Sequence, residues 1–325
     1  MLYPSLSRAV DGFLLNISAA GRSSYTIRNY KAELLRFTNF IGALEINQVS
    51  SRQIEDYLLY LKNDFRITHI ATTHIPPKKI SQKTLSNAHG ALAVFWKWVS
   101  KEFQLSNPFK VAPIKYYSKP ISPLKESEIE LLLSACRQTR KTPKTMKAYL
   151  SKRTTCKRDR AIILTLLDTG MRVSELCGIL IKDYDSECGR LMITGKGIKT
   201  RFVYLGKVSS QSLWSYMLER YPSQKPPKDD PLFTDFYGIH PLTRQNVLQL
   251  IKRLGNNAGV INVHPHKFRH TFAIEFLRNG GNVFELQQLL GHSELDMVKR
   301  YVQLAQIDLE NSAKRASPAD HWRLR

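Results

Sequence analysis

The chain has 325 residues, 42% of them hydrophobic, which is enough for about two domains that each bury a core. Lysine and arginine outnumber aspartate and glutamate by 49 to 27, and the net charge of +22 favours a polyanionic partner, nucleic acid first. No apolar run reaches membrane-spanning length and residues 1–15 lack a signal-peptide pattern, so we expect a cytoplasmic protein, neither membrane-bound nor exported.

The first third of the chain has the spacing of amphipathic helices. Between residues 23 and 41, apolar side chains recur at alternating steps of three and four: Ile27, Tyr30, Leu34, Phe37 and Ile41. A further helix is predicted with Ser51 as its N-cap, another starts at Ser81, and one more covers about residues 5–19. Residues 1–112 are therefore predicted to form a small all-α domain.

Residues 113–123 contain three prolines and little apolar periodicity, which predicts an extended linker before a second domain at 124–325. Within that domain, residues 137–160 carry ten basic residues and one acid, Asp159. Such a run is typical either of a solvated loop or of a segment that contacts phosphates, and the pattern leaves both interpretations open.

The rest of the second half alternates helices with one hairpin. Residues 161–167 predict a buried helix closed by Gly170. Apolar side chains alternate at Leu191 and Ile193 and then at Phe202 and Tyr204, which predicts two strands with these residues on one face, around the turn Gly195-Lys196-Gly197. Helices are then predicted at about 125–136, 209–220, 243–254, 265–278, 283–290 and 293–304.

Several polar residues lie at positions where a side chain can act on a ligand. Arg172 follows the Thr-Gly that ends one helix, and Lys196 sits at the hairpin tip. His266, Arg269 and His270 share one helical face because they are spaced i, i+3 and i+4.

The last such residues follow a glycine that ends a helix. His292 comes directly after Gly291, and Tyr301 follows nine residues later on the next predicted helix. Taken singly, each of these residues has an ordinary surface or packing explanation. A metal site at His264 and His266 is disfavoured because no acidic or cysteine partner lies nearby, and the four cysteines lack metal-ligand spacing.

The order of these residues changes that assessment. The chain contains, in this order, Arg, Lys on a predicted hairpin, His-x-x-Arg, Gly-His and Tyr. This order resembles the tyrosine recombinase family, which includes the phage integrases and Xer-like enzymes. TIRNYKAELLRFTNF, at residues 26–40, resembles the family's N-terminal core-binding domain. The resemblance implies a mainly α protein, with an N-terminal α-helical, SAM-like domain and a catalytic DNA breaking-rejoining domain that contains a small antiparallel β-sheet.

The resemblance also implies a catalytic set, which comprises Arg172, Lys196, His266, Arg269, His292 and Tyr301. His270 matches a supporting family position and is left outside this set. The chemistry suits these residue types: a tyrosine hydroxyl can hold the phosphorus covalently, and arginine forks match the phosphate oxygens. By resemblance, Lys196 is the general acid, the intermediate is a 3′-phosphotyrosyl link with a free 5′-hydroxyl, and no metal or other cofactor is expected.

The expected partners are double-stranded DNA with specific recombination sites and further copies of the chain, as a tetramer on paired sites. Extra basic segments at 68–83 and 137–160 favour an integrase or transposase of a mobile element. The alternatives are a Xer-like chromosome dimer resolvase and, less favoured, a type IB topoisomerase or an inactive DNA-binding factor. The segment after Tyr301, with Leu304, Ile307, Leu309 and Trp322, is expected to dock on a neighbouring subunit.

Overall fold

The computed structural model describes residues 3–67, 78–116, 122–141, 149–195, 200–291, 301–302 and 317–322. Two compact units divide the chain, Met1–Lys119 and Pro120–Arg325.

The first unit packs four helices around an apolar core. The helices are α1 (Leu6–Ala19), α2 (Ser24–Ile41), α3 (Ser51–Asn63) and α4 (Gln82–Glu102), and a short antiparallel pair joins β1 (Arg66–Ile67) to β2 (Lys78–Lys79). Aromatic rings fill the centre, where Phe13 contacts Phe95 edge to face with ring centroids 5.6 Å apart. The predicted helical stripes face this core: Leu34 and Phe37 of α2 are fully buried.

The start of α3 differs from the expectation by one residue. The N-cap of α3 is Ser50 instead of Ser51, because Ser50 Oγ accepts from the Gln53 amide while the Gln53 side chain accepts from the Ser50 amide. Ser51 instead donates its hydroxyl to the carbonyl of Pro108 at 2.7 Å. Ile114, near the start of the predicted linker, packs against the core of this unit.

The second unit is mainly helical. Its helices are α5 (Glu126–Ala135), α6 (Cys156–Thr169), α7 (Val173–Leu176), α8 (Lys207–Arg220), α9 (Arg244–Ala258), α10 (Pro265–Arg278), α11 (Val283–Leu290) and the short α12 (Pro318–His321). Its strands are β3 (Gln138–Lys141), β4 (Tyr149–Lys152), β5 (Tyr184–Asp185), β6 (Arg190–Thr194) and β7 (Thr200–Tyr204). The pairs β3–β4, β5–β6 and β6–β7 are all antiparallel. The apolar residues of α6 lie at the centre of the core, where Ile162 and Leu166 are fully buried.

The basic segment 137–160 contains more order than a solvated loop. The strands β3 and β4 pair across it, and α6 begins at Cys156, five residues before the predicted start. The early start is possible because the single acid, Asp159, is fully buried and accepts hydrogen bonds from Arg153, Arg158 and Thr155. Two of the ten basic side chains therefore neutralise a buried carboxylate and are engaged within the protein.

The hairpin β6–β7 has the predicted strands, but the inward face of β7 differs from expectation. Leu191 pairs with Val203 and Ile193 with Arg201, so these four side chains share the inner face. Phe202 and Tyr204 consequently point outward and are about half exposed. The pleat thereby brings a charged side chain, Arg201, to the buried side of the sheet.

Among the described residues, no helix is long and apolar enough to cross a membrane.

Candidate active site

Arg172 is presented by a sharp break between two helices. The helix α6 ends at Gly170, which adopts the left-handed conformation with φ of 57°, and Arg172 is the N-cap of α7. A β-carbon at Gly170 would collide with the ring of Phe272, so only glycine fits this turn. The break leaves the Arg172 side chain partly exposed beside the C-terminal end of α6.

Arg269 lies in the middle of α10 and is almost fully buried, with 4% of its surface exposed. Its guanidinium donates to the carbonyl of Gly170 and to the carbonyl of Leu290, both at 2.8 Å. These two carbonyls end α6 and α11, so Arg269 ties three helices together at one point. Burial, followed by the nearby charge of Arg172, lowers the pKa of Arg269 to about 10, which still leaves it positively charged at neutral pH.

A buried carboxylate holds Arg172 in place. Glu175 accepts from the backbone amide of Arg172 at 2.7 Å and from its guanidinium at 3.0 Å. Arg201 of β7 approaches the same carboxylate from the other side, at 2.8 and 3.0 Å. Burial alone would raise the pKa of Glu175, but the hydrogen bonds from Arg201 and Arg172 lower it below its usual value, so the carboxylate stays ionised.

His266 lies one turn before Arg269 at the start of α10, where Pro265 occupies the first helical turn. Partial removal from water lowers its pKa, and the charges of Arg269 and Arg172 lower it further. A neutral imidazole beside two guanidinium groups can donate a hydrogen bond without adding a third full charge. The structure thus brings three members of the predicted set, Arg172, His266 and Arg269, into one electropositive site.

Tyr301 packs against the same helix, α10, that carries Arg269. Its side chain is 2% exposed and packs among apolar residues of α10 and α11, and its hydroxyl lies 2.9 Å from Nδ1 of His270. A coulombic contribution from Tyr301 raises the pKa of Arg269, so the expected nucleophile lies near the buried guanidinium. Burial, with the nearby His266, His264 and Arg269, lowers the pKa of His270 to about 4, so its ring is neutral at pH 7.

Two members of the predicted set, Lys196 and His292, lie outside the described residues. The same holds for most of the predicted helix at 293–304 and for Leu304, Ile307 and Leu309 of the C-terminal segment. The described chain nevertheless reaches both positions. The pairing of Thr194 with Thr200 ends the hairpin just before and after the Lys196 turn. Gly291, the left-handed residue that ends α11, immediately precedes His292.

Two residues that contact the predicted set, Glu175 and Arg201, were not expected from the sequence. Glu175 could have been found, because it stands three residues after the N-cap of α7, where a carboxylate commonly accepts from the cap amide. No sequence pattern pointed to Arg201, because the apolar residues of β7 predicted that the opposite face of the strand is the buried one. His270 was visible in the i, i+3, i+4 pattern but was left outside the catalytic set.

Within the part of the chain that the structure describes, no group of three or more histidine, cysteine, aspartate or glutamate residues is arranged to hold a metal ion.

The comparison with family models decides the family. Residues 123–307 match the phage integrase family, and residues 10–104 match the N-terminal SAM-like domain of phage integrases. The chain belongs to the phage integrase family. It is a tyrosine recombinase, as the order of its polar residues predicted.

Curated relatives of this recombinase extend over nearly its whole length. It is 30% identical over 309 residues to the tyrosine recombinase XerC of Staphylococcus epidermidis, an alignment that covers 91% of this chain and 92% of the relative. The tyrosine recombinase XerC of Bacillus subtilis is 30% identical over 296 residues, with 89% of each chain covered.

Solved structures share the fold of the recombinase. The Tn1549 transposon integrase in complex with circular intermediate DNA superposes with a TM-score of 0.71 at 20% identity, over 96% of this chain and 98% of that one. The XerH site-specific recombinase bound to palindromic difH substrate has a TM-score of 0.65 at 23% identity, over 93% and 82%. The predicted fold class, a SAM-like N-terminal domain and a mainly helical catalytic domain with small antiparallel sheets, is confirmed.

Proposed function

We propose that this tyrosine recombinase cuts and rejoins double-stranded DNA at specific sites, with Tyr301 as the nucleophile. The phenol oxygen attacks the scissile phosphorus, the bond to the 5′-oxygen breaks, and a 3′-phosphotyrosyl link and a free 5′-hydroxyl result. The reverse attack by a 5′-hydroxyl from another strand restores the DNA backbone and releases the tyrosine. The bond energy is conserved throughout because phosphorus is never transferred to water.

The observation that carries this proposal is the concentration of positive charge beside a buried tyrosine. Arg172 and Arg269 lie close enough for their charges to interact, and Glu175 is the acid that approaches both. Two guanidinium groups with one nearby carboxylate, which Arg201 also contacts, leave net positive charge, which a bound phosphate would neutralise. In the reaction, the same groups would stabilise the negative charge that grows on the non-bridging oxygens.

Roles for the remaining members of the set follow from chemistry and from family membership. We assign His266 and His292 to hydrogen bonds with the phosphate oxygens, and Lys196 to protonation of the departing 5′-oxygen. A lysine at a hairpin tip can reach a leaving group that lies outside the protein surface. We add His270, whose neutral ring shares a hydrogen bond with the Tyr301 hydroxyl and can hold it in place before attack.

The domain roles and partners are also part of the proposal. We assign residues 1–112 to core DNA binding, 113–123 to the interdomain linker and 124–325 to catalysis. The excess of 22 positive charges is suited to a long DNA duplex. We expect the protein to act in the cytoplasm, on the nucleoid when it is bound.

We further propose that a tetramer assembles on paired sites through the C-terminal segment. A groove of about 990 Å³ in the second unit is lined by apolar residues, Phe272 and Phe276 among them, and by five acidic residues: Glu126, Glu130, Asp168, Glu275 and Glu285. The last fourteen residues are basic on balance and include the exposed Trp322. An apolar anchor with basic flanks from a neighbouring copy would suit this groove in both shape and charge.

Removal of residues 312–325 tests this assembly step. We expect the truncated chain to fold and bind single sites normally, to bind paired sites without cooperativity and to exchange no strands. Wild-type recombination by the truncated chain would contradict it. A matched Trp322→Ala variant separates the contribution of the anchor from that of the basic residues.

Two biological roles remain as candidates. Part of the positive charge that favoured a mobile-element integrase is neutralised inside the protein, where Arg153 and Arg158 bind Asp159. The nearly full-length match to XerC relatives favours a Xer-like dimer resolvase. Deletion of the gene in its source organism separates the two: accumulated chromosome dimers indicate the resolvase, and a mobile element that no longer moves indicates the integrase.

The enzymatic proposal is tested with DNA chosen by the protein itself. A randomised duplex pool is enriched by binding to the inactive Tyr301→Phe variant, and the selected duplexes are then nicked near the centre of the site to trap cleavage. We expect wild-type protein to form a covalent protein–DNA band, also in the presence of EDTA, and to exchange strands between two intact sites. Absence of the band indicates a DNA-binding factor, and relaxation of supercoils without exchange indicates a topoisomerase.

A further inference from the structure

Arg201 stands in an unusual place for a charged residue. It lies on β7 directly opposite Ile193, which is 1% exposed, and its own side chain is 14% exposed. An arginine on the buried face of a sheet costs free energy unless its donors are satisfied. The free energy of burying Arg201 therefore depends on the groups to which it donates.

Three of its nitrogens are engaged by two different parts of the unit. Nη1 and Nη2 donate to the two carboxylate oxygens of Glu175 at 3.0 and 2.8 Å, and Nε donates to the carbonyl of Leu289 at 2.7 Å. The arrangement on Glu175 is the bidentate fork that only a guanidinium forms with a carboxylate. The side chain also lies tight against Gly291, where an added β-carbon would come within 3.0 Å of it.

The expected phosphate clamp consists of Arg172 and Arg269. Each of the two groups that Arg201 binds is connected to one of these arginines. Glu175, through its other hydrogen bonds, holds the amide and the guanidinium of Arg172. Leu289 precedes Leu290, whose carbonyl accepts from Arg269. One side chain thus links the end of α7 that carries Arg172 to the end of α11 that holds Arg269.

We propose that Arg201 is a positioning residue, which fixes the position and orientation of Arg172 relative to Arg269 so that both meet one phosphate. This inference rests on the proposed function, since it presumes that the two arginines clamp the scissile phosphate. Arg201 itself is engaged with Glu175 and Leu289 and acts through Arg172. Lysine cannot replace it, because a single ammonium cannot hold both carboxylate oxygens and the Leu289 carbonyl in fixed directions.

The test is a double-mutant cycle on cleavage of the selected, nicked duplexes. Arg201→Met is combined with Arg172→Lys, and covalent adduct formation is timed for both single variants and the double variant. We expect Arg201→Met to slow cleavage by about 100-fold while DNA affinity changes by less than about threefold, since the loss falls on the transition state. If Arg201 acts through Arg172, the double variant should be no more than about threefold slower than Arg172→Lys.

Two further variants separate positioning from stability. Arg190→Met makes the same chemical change on the neighbouring strand, where Arg190 lies over the exposed ring of Phe202, and it should leave cleavage unchanged. Arg201→Lys keeps the charge and tests the idea if the methionine variant does not fold. It should melt near the wild-type temperature and still cleave at least about tenfold more slowly.

The inference is overturned if either Arg201 variant folds and cleaves at the wild-type rate. It is also overturned if the losses in the double variant multiply, because that result places Arg201 on a route independent of Arg172. In both cases the wild-type adduct still forms, so the proposed function stands. Absence of the wild-type adduct overturns the proposed function together with this inference.

Discussion

The hydroxyl of Tyr301 lies 2.9 Å from Nδ1 of His270, where Tyr301 is buried and His270 is partly buried. The imidazole has a pKa lowered to about 4, so it is neutral at pH 7 and available to the phenol as a hydrogen-bond partner. A nucleophile held in this way needs less reorganisation before it attacks.

We predict that His270→Ala slows covalent adduct formation by roughly 10- to 100-fold with little change in DNA binding, the range for loss of one positioned proton partner. The measurement is the single-turnover rate on a nicked site. His264→Ala, at the exposed N-cap of the same helix, is the matched control and should react normally. A His270→Ala enzyme as fast as wild type would show that this hydrogen bond has no role in the reaction.

The lowered pKa of His270 also predicts how stability depends on pH. Between its unfolded value of 6.5 and its folded value of about 4, the unfolded chain binds a proton that the folded chain does not. The free energy of unfolding therefore falls as the pH falls through this window. In thermal melts at pH 7 and pH 5, His270→Gln should lose less stability on acidification than wild type, and an equal loss would contradict the assignment.

Replacing Arg172 or Arg269 by lysine keeps the positive charge and removes the forked donors. The two variants should therefore separate the contribution of charge to cleavage from that of hydrogen-bond geometry. We expect Arg172→Lys and Arg269→Lys to keep most DNA binding and to lose about 100-fold or more in cleavage, because the forked donors are gone. Arg269→Lys should also be less stable, by about 1.5–3 kcal/mol for each charged hydrogen bond it no longer makes to the carbonyls of Gly170 and Leu290. Chemical denaturation and cleavage assays on both variants measure the two effects, and wild-type cleavage by either would remove it from the clamp.

Two glycines make a matched pair for stability. Gly170 has positive φ and no room for a β-carbon, so Gly170→Ala should cost more than about 2 kcal/mol and reduce cleavage by displacing Arg172. Gly90 lies inside α4 with open space around it, so Gly90→Ala should stabilise the first unit by about 0.5–1 kcal/mol. Urea denaturation compares them, and a stable Gly170→Ala protein would mean that the helix break tolerates a side chain.

Much of the fold could be predicted because its determinants are local. The stripe that contains Leu34 and Phe37 marks a helix by spacing alone, and Ser81 marks where α4 begins. The helix break at Gly170 could also be predicted, because a glycine can adopt the left-handed conformation that ends α6. These features depend on a few neighbouring residues, which the sequence shows directly.

The features that were missed depend on contacts that the spacing of residues along a helix or strand does not reveal. Asp159 looked like one acid in a basic loop, and its burial between Arg153 and Arg158 appears only when the segment folds back on itself. The inward direction of Arg201 depends on the register between β6 and β7, where a shift of one residue exchanges the two faces. No local pattern reveals its bond to the carbonyl of Leu289, 88 positions away.

The central claim, that Tyr301 is the nucleophile, is tested most directly by locating the covalent bond. Protein trapped on the selected nicked duplex is digested with nuclease and trypsin. Mass spectrometry then measures the mass of the tryptic peptide of residues 301–314, whose only tyrosine is Tyr301. We predict that it carries a nucleotide 3′-phosphate, and that Tyr301→Phe binds the same duplex but yields no modified peptide. A nucleotide on any other peptide, or an adduct that persists in Tyr301→Phe, would contradict the account.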